Sequence, residues 1–400
     1  MSEFQLHQFK TIDKPLDKAA RDAMKALSSR AEVTATSADY VNHYSDFRGD
    51  MDILTRQYFD ASLHWANFGC SKVIFRFPKA ALDIPKIQQY LFADVIVLKQ
   101  IDDVCLLIFE QNVEDGGFET WMDDDGDPLS NFLSLRNNIL KGDYRALYMM
   151  WLHAHSPAFL GYVDMSEEYA DELEDEDIDF DDEEDQEWRA FIHEPPVPAG
   201  LDKLNSALSN WADFFEMDED WIVSAATASP KTDVTPDFDA KAELAKLTDA
   251  EKTDFLQRLL ADEPALSSTF TRFLERKSPT KASKSSDARR TLAEIEAGVA
   301  NAIKARVQKE KAAAYAALKK RYDDLAKGEA QAWKDVNGFC DRQVGSGYDE
   351  ATKLLVSLKA LAIYRSTPTD FETKFKLVLI KYGKSKAFLQ RLQQAGFGVL

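Results

Sequence analysis

The chain has little cysteine and no arrangement of it that does chemistry. Its three cysteines, Cys70, Cys105 and Cys340, are odd in number, far apart and without a Cys-x-x-Cys pair. That excludes a disulfide framework and a cysteine-based zinc site, and it fits a reducing compartment. Long apolar runs are also missing. The longest, "VIVL" and "VCLLIF", fall far short of the roughly 20 residues that span a bilayer, so no membrane association is expected. The N-terminus "MSEFQLHQFKTIDK" has no basic region followed by an apolar one and predicts no signal peptide. A cytoplasmic protein is the expectation.

The motifs of phosphate and acyl-transfer chemistry are absent as well. "YGKSK" at 382–386 carries a Gly-Lys-Ser, but a phosphate loop needs glycine at position 378, which is Val378. "VGSGY" at 344–348 lacks the outer glycines of an esterase elbow. "WMDDDGDPL" at 121–129 resembles a calcium loop, but with Gly126 as the turning glycine its terminal ligand positions would be Trp121 and Phe132. His153 and His155 lie two apart in a stretch that reads as helix, where they diverge. His7, His43, His64 and His193 are scattered. No catalytic set, metal or cofactor is expected.

What is present is charge, unevenly distributed. The 400 residues carry a net −20, and 45% are hydrophobic, a globular composition. Residues 164–187 hold 16 acids and no base. Residues 271–400 hold 26 Lys and Arg against 14 Asp and Glu, a net +12, so residues 1–270 carry −32. An acidic front and a basic tail favour contact with a charged partner. The acidic run has no turning glycine to make a calcium loop and reads as a solvated connector. Leu173, Ile178, Phe180 and Trp188 punctuate it, so it also has the chemistry to dock on a basic, apolar groove.

Periodicity predicts an α+β chain. Residues 4–10 read as a strand, 13–33 as an amphipathic helix and 51–68 as a second helix, with Asp50 as its cap and Gly69 past its end. "CSKVIFRFP" is a strand stopped by Pro78, "DIPKIQQYL" a short helix, and "DVIVLKQIDDVCLLIFEQN" a pair of strands turning at 101–103. Helices dominate afterwards, including a pair separated by Gly142 and Asp143 and an apolar face of Leu201, Leu204, Leu208, Trp211 and Phe215. Capping boxes are expected at Thr248–Glu251 and Thr369–Glu372. Residues 287–335 predict one long helix, broken by Gly345 and Gly347, whose Ile303, Val307, Leu318, Tyr322 and Leu325 pack on 349–364. The resulting organisation is a mixed α/β domain with a small sheet at 1–115, a helical pair at 116–163, an acidic linker at 164–188, a helical segment at 189–277, a linker at 278–286 and a basic helical hairpin at 287–400.

Within that hairpin, residues 304–321 hold seven bases and one acid. Lys304, Arg306, Lys309, Lys311, Lys319, Lys320 and Arg321 are the candidate partner-binding residues, gripping either an acidic protein surface or nucleic-acid phosphates from one helix face.

The stretches "LSSRAEVTATS", "LKGDYRALYMMWL", "EPPVPAGLDKLNSALSNWADFFEMDEDWI" and "YDEATKLLVSLKALA…SKAFLQRLQQAGF" together resemble an uncharacterised family of bacterial proteins. The last third is similar to helical tails that accompany SWIM zinc-finger domains. The Cys-x-Cys and Cys-x-His ligands of such a finger are absent here, so no ligand carries over. The resemblance implies a bacterial cytosolic adaptor without an assigned activity. Together the residues and the resemblance lead to a non-enzymatic interaction or scaffold protein. A nucleic-acid-associated accessory factor is the alternative.

Overall fold

The structure is a computed structural model that describes residues 3–44, 46–112, 126–156, 159, 191–230, 240–261, 263–277 and 289–398. The acidic run 164–188, the linker 278–286 and the "WMDDD" of 121–125 lie outside the described residues. The chain divides into two compact units, Met1–Ile303 and Lys304–Leu400.

The first unit is built on a seven-stranded antiparallel sheet of order β2-β3-β1-β4-β5-β7-β6. Its strands are β1 (Phe4–Lys10), β2 (Glu32–Val33), β3 (Ser37–His43), β4 (Ala61–Ala66), β5 (Cys70–Pro78), β6 (Ile96–Ile101) and β7 (Val104–Asn112). Strand β7 is apolar on both sides. On β7, Val104, Leu106 and Ile108 face one way and Cys105, Leu107 and Phe109 the other, and all are buried. Such a run reads as continuous because both faces are covered.

One face packs under helices α1 (Lys18–Leu27) and α2 (Met51–Tyr58), where Phe9, Leu16, Met24, Tyr40, Leu54 and Phe59 form a core cluster. The other face packs under α4 (Pro128–Phe132), α5 (Ser134–Leu140), α6 (Arg145–Ala154), α7 (Ser206–Phe214) and α8 (Glu219–Ala226). The short α3 (Ile84–Ile87) precedes β6. Trp211, fully buried, meets Phe109 edge-on at 4.9 Å and stacks on Phe75 at 6.2 Å. Of the expected helical face, Leu208 and Trp211 lie on α7 and Phe215 at its cap, all buried, whereas Leu201 and Leu204 precede the helix, the first buried and the second partly so.

The fold class is therefore α+β, with a sheet larger than expected. Residues 59–68 are not the second half of a helix. Ala61, Leu63 and Trp65 alternate toward one face while Ser62, His64 and Ala66 face the other, a period of two. Gly69, with φ of 96°, turns the β4–β5 hairpin rather than ending a helix. The β6–β7 hairpin turns at Asp102, φ 56°, as expected.

The separation of residues 1–115, 116–163 and 189–277 gives way to one unit. A single apolar cluster joins Phe75 and Leu107 of the sheet to Leu129, Met150, Leu208 and Ile222, and further to Leu292, Ile295 and Val299. A buried ion network ties its parts. Arg136 forms a fork on Asp13 (3.1 and 2.6 Å), approaches Asp60 (3.5 Å) and donates to the Arg76 carbonyl. Asp60 also accepts the backbone N–H groups of Ile12 and Asp13 at 2.7 and 2.8 Å. Helices α9 (Ala240–Ala245), α10 (Asp249–Leu260) and α11 (Leu266–Lys277) complete the unit, and Thr248 closes the expected capping box with Glu251.

Helix α12 (Leu292–Lys327) begins in the first unit. The second unit comprises its remainder and α13 (Glu329–Asp341), α14 (Gly345–Tyr364), α15 (Pro368–Tyr382) and α16 (Lys386–Gln394). Its core joins Val336, Cys340, Leu355, Leu358, Phe375 and Phe388. Gly345 and Gly347 do not break a helix; they open α14. A Cβ at Gly347 would lie 2.5 Å from the Phe339 carbonyl oxygen, so glycine permits the close approach of α13 and α14. The long helix is interrupted instead at Gly328. Helix α15 starts two residues earlier than expected, with Pro368 in its first turn and Thr367 at its cap, so Thr369 caps nothing.

Candidate functional site

The long helix is firmly held at its start. Residues 192–194 run beside 290–292, bridging His193 to Thr291 in antiparallel fashion. Arg290 grips Glu194 with Nε and Nη2, both at 2.8 Å, and Tyr148 donates its hydroxyl to the same carboxylate at 2.5 Å. Burial opposes the charge on Glu194, but the Arg290 and Tyr148 hydrogen bonds prevail and hold its carboxyl below the usual range. Ser224 donates to the Ile295 carbonyl, and a Cβ at Gly298 would collide with the Ser224 hydroxyl. A side chain at 298 would thus force the Ser224 hydroxyl to turn away and give up that bond where α12 crosses α8.

The candidate residues lie beyond this anchor, in the second unit. All seven side chains, Lys304, Arg306, Lys309, Lys311, Lys319, Lys320 and Arg321, are exposed. They do not share a face. At about 100° per residue they point to roughly 0°, 200°, 140°, 340°, 60°, 160° and 260° around the axis. The expectation of a single basic face is corrected accordingly: cations surround the helix. Every residue from Gln308 to Arg321 is exposed, so no side of this stretch packs.

The predicted packing of this helix on 349–364 holds only at its end. Leu325 lies against the second core and the Tyr322 and Tyr364 rings are 4.9 Å apart. Ile303 and Leu318 are exposed, Leu318 at 43% and the nearby Tyr315 at 61%. The physical reason is composition. Residues 308–321 are Gln, Lys, Glu, Arg, Leu and Ala apart from Tyr315, nearly all strong helix formers that can keep helical form with little tertiary support. The Arg306–Glu310 pair, four residues apart at 3.4 Å, adds about 0.3–0.5 kcal/mol.

Elsewhere, the structure assembles a pair of histidines that the sequence left scattered. His7 on β1 and His64 on β4 stack with ring centroids 4.2 Å apart, and Phe47 stacks on His7 at 4.5 Å. Burial, and secondarily the charge of His64, lowers His7 to about 2. Burial, and then Lys72, lowers His64 to about 4, against the opposing pull of Glu110. Reading 59–68 as helix hid this pair; the period-two alternation was the signal that could have found it. His153 and His155 do diverge: His153 Nε2 lies 3.2 Å from Gln111 Oε1, whereas His155 Nδ1 donates to the Trp151 carbonyl at 2.7 Å. Burial lowers His153 to about 4 and His155 also downward.

These perturbed groups sit in packed interior. Three surface crevices, of about 570, 170 and 140 Å3, are lined by no histidine and no cysteine. Among the described residues, no group of three or more His, Cys, Asp or Glu is placed to hold a metal ion. Among the same residues, no helix is long and apolar enough to cross a membrane.

Compared with known proteins, the chain matches no family model, no curated protein and no solved structure.

Proposed function

We propose that this is a non-enzymatic interaction protein of a cytoplasmic complex, which engages a protein partner through the 304–321 stretch of α12. The carrying observation is the run from Gln308 to Arg321, in which every side chain is exposed and six of the seven bases of 304–321 lie there or within one turn of it. A helix without a core-facing side makes no contribution to its own unit's packing, yet it keeps Tyr315 and Leu318 in water. A partner that covers those two side chains and pairs with the surrounding cations gives both features a use.

The alternative, a nucleic-acid accessory factor, draws on the same seven bases. Their spread around the axis favours a partner that wraps the helix over a phosphate backbone gripped from one side. The test is capture from host cells by the full chain and by a variant with all seven bases changed to Glu. The expected result is a protein species that is lost with the variant and resists nuclease. Retention that nuclease abolishes would assign the helix to nucleic acid, and an unchanged capture pattern would remove it from the interaction surface.

A further inference from the structure

Helix α15 presents apolar side chains on the side that faces away from its own core. Phe371, Phe375 and Val378 are buried in the second unit. At about 100° per residue, Thr373, Leu377 and Ile380 lie near the opposite pole. Leu377 is 63% exposed and Ile380 78%. A helix that packs one side into a small bundle ordinarily carries polar residues at that pole. Leu377 and Ile380, three residues apart, are neighbours on the surface and make a two-point apolar ridge.

Lysines border the ridge. Lys374 and Lys381 are engaged inward, with Glu329 at 2.7 Å and Asp341 at 3.2 Å. Lys376, on α15, and Lys384, two residues past its end, are exposed and have no ion-pair partner among the described residues. Residues 304–400 hold 19 Lys and Arg against 10 Asp and Glu, a net +9, so the field over the unit favours anions.

We propose that this face of α15 is a docking site for an acidic peptide segment punctuated by apolar side chains. The apolar side chains cover Leu377 and Ile380, and the flanking carboxylates pair with Lys376 and Lys384. A plain polyanion would use the lysines and leave the ridge in water. A membrane surface suits it less, because the large apolar face of α15, with its phenylalanines, is spent in the unit's own core and leaves two aliphatic side chains without an aromatic anchor. This surface is separate from the 304–321 stretch, and the proposal stands whether or not that stretch binds a partner.

The chain supplies a probe of the required chemistry: residues 171–188, acidic throughout and interrupted by Leu173, Ile178, Phe180 and Trp188. A fluorescein-labelled peptide of that sequence is titrated with the full chain carrying Leu173→Ser, Ile178→Ser, Phe180→Ser and Trp188→Ser, so that its own run does not compete. Saturable binding by anisotropy is expected. Leu377→Ser with Ile380→Ser should weaken it at least tenfold, as should Lys376→Glu with Lys384→Glu. A probe with its four apolar residues changed to Ser should bind at least tenfold more weakly than the original. The substituted side chains are exposed, so circular dichroism and the melting curve should stay unchanged in each variant; if a serine pair disturbs either, Leu377→Gln with Ile380→Gln replaces it. Three results overturn the proposal: no binding of the probe, binding indifferent to the Leu377 and Ile380 substitutions, or equal binding of the serine probe. Binding of anionic phosphatidylserine vesicles that these substitutions abolish, without peptide binding, would assign the face to a membrane surface instead.

Discussion

Acid should unfold this protein well above the pH at which its carboxylates titrate, and the cause is its buried histidines. His7 is lowered to about 2, and His64 and His153 each to about 4, in every case chiefly by burial. In the unfolded chain a histidine titrates near 6.5. Between these limits the unfolded state binds more protons than the folded state, so stability rises with pH and is lost as pH falls below about 6.5. Each histidine that stays neutral in the fold contributes a slope of about 1.4 kcal/mol per pH unit, and three give about 4. Integrated from pH 7.5 to 5.5, where the unfolded histidines pick up most of their protons, the loss is on the order of 4 kcal/mol. That is a large fraction of the roughly 5–15 kcal/mol that typically separates folded from unfolded chains. His155, also lowered, adds in the same direction. The carboxylates act elsewhere: Glu194 and Asp127, held low by their partners, lose their contribution only as pH falls through the usual carboxylate range. Asp39, raised by burial, opposes the trend as pH falls through its raised value. Urea midpoints at pH 7.5, 6.5 and 5.5 measure the slope. His64→Gln should reduce it by about a third, the share of one of three protons. A midpoint that does not move between pH 7.5 and 5.5, or a slope unchanged when His7, His64 and His153 are all replaced, would refute the reasoning.

Arg136→Ala should destabilise the first unit by about 3–5 kcal/mol, because it strips the largely enclosed Asp13 of its partner and leaves the buried Asp60 with Arg76 alone; a midpoint within 1 kcal/mol of the parent, about the worth of an exposed pair, would mean that water reaches the network. Gly298→Ala should cost about 1–3 kcal/mol through the collision with the Ser224 hydroxyl, although helix propensity alone favours alanine by about 1 kcal/mol. A stabilised Gly298→Ala protein would show that α8 and α12 separate at little cost, and Ser224→Gly in the same chain should recover part of the loss. Leu318→Ala should change the melt by less than about 1 kcal/mol, whereas Leu355→Ala, fully buried in the second core, should cost about 2–5 kcal/mol. The reverse order in thermal or chemical melts would place Leu318 in the core after all.

Much of the local structure follows from the sequence by itself. The run "CSKVIFRFP" becomes β5 with its expected ends, the Thr248–Glu251 box caps α10, and the apolar spacing of Leu208, Trp211 and Phe215 finds the buried side of α7. These are effects of near neighbours: β-branched content, a cap three residues from its partner, and a repeat of three to four. The α+β class and the concentration of positive charge in 304–321 follow in the same way. Tertiary structure decided the rest. Residues 61–66 became a strand because β1 and β5 offer pairing edges on both sides, and no local signal names those partners. His7 and His64 are 57 residues apart in the chain and meet only through that register. The face of α12 was misjudged because its apolar residues repeat at helical spacing whether or not a core awaits them; composition supplies the amphipathic pattern, and packing decides whether it is buried. The same holds for α15, where Phe371, Phe375 and Val378 compete with Leu377 and Ile380 for the inward side. Phe371, Phe375 and Val378 join Val336 and Leu355 in the core, and that choice places the aliphatic ridge in water.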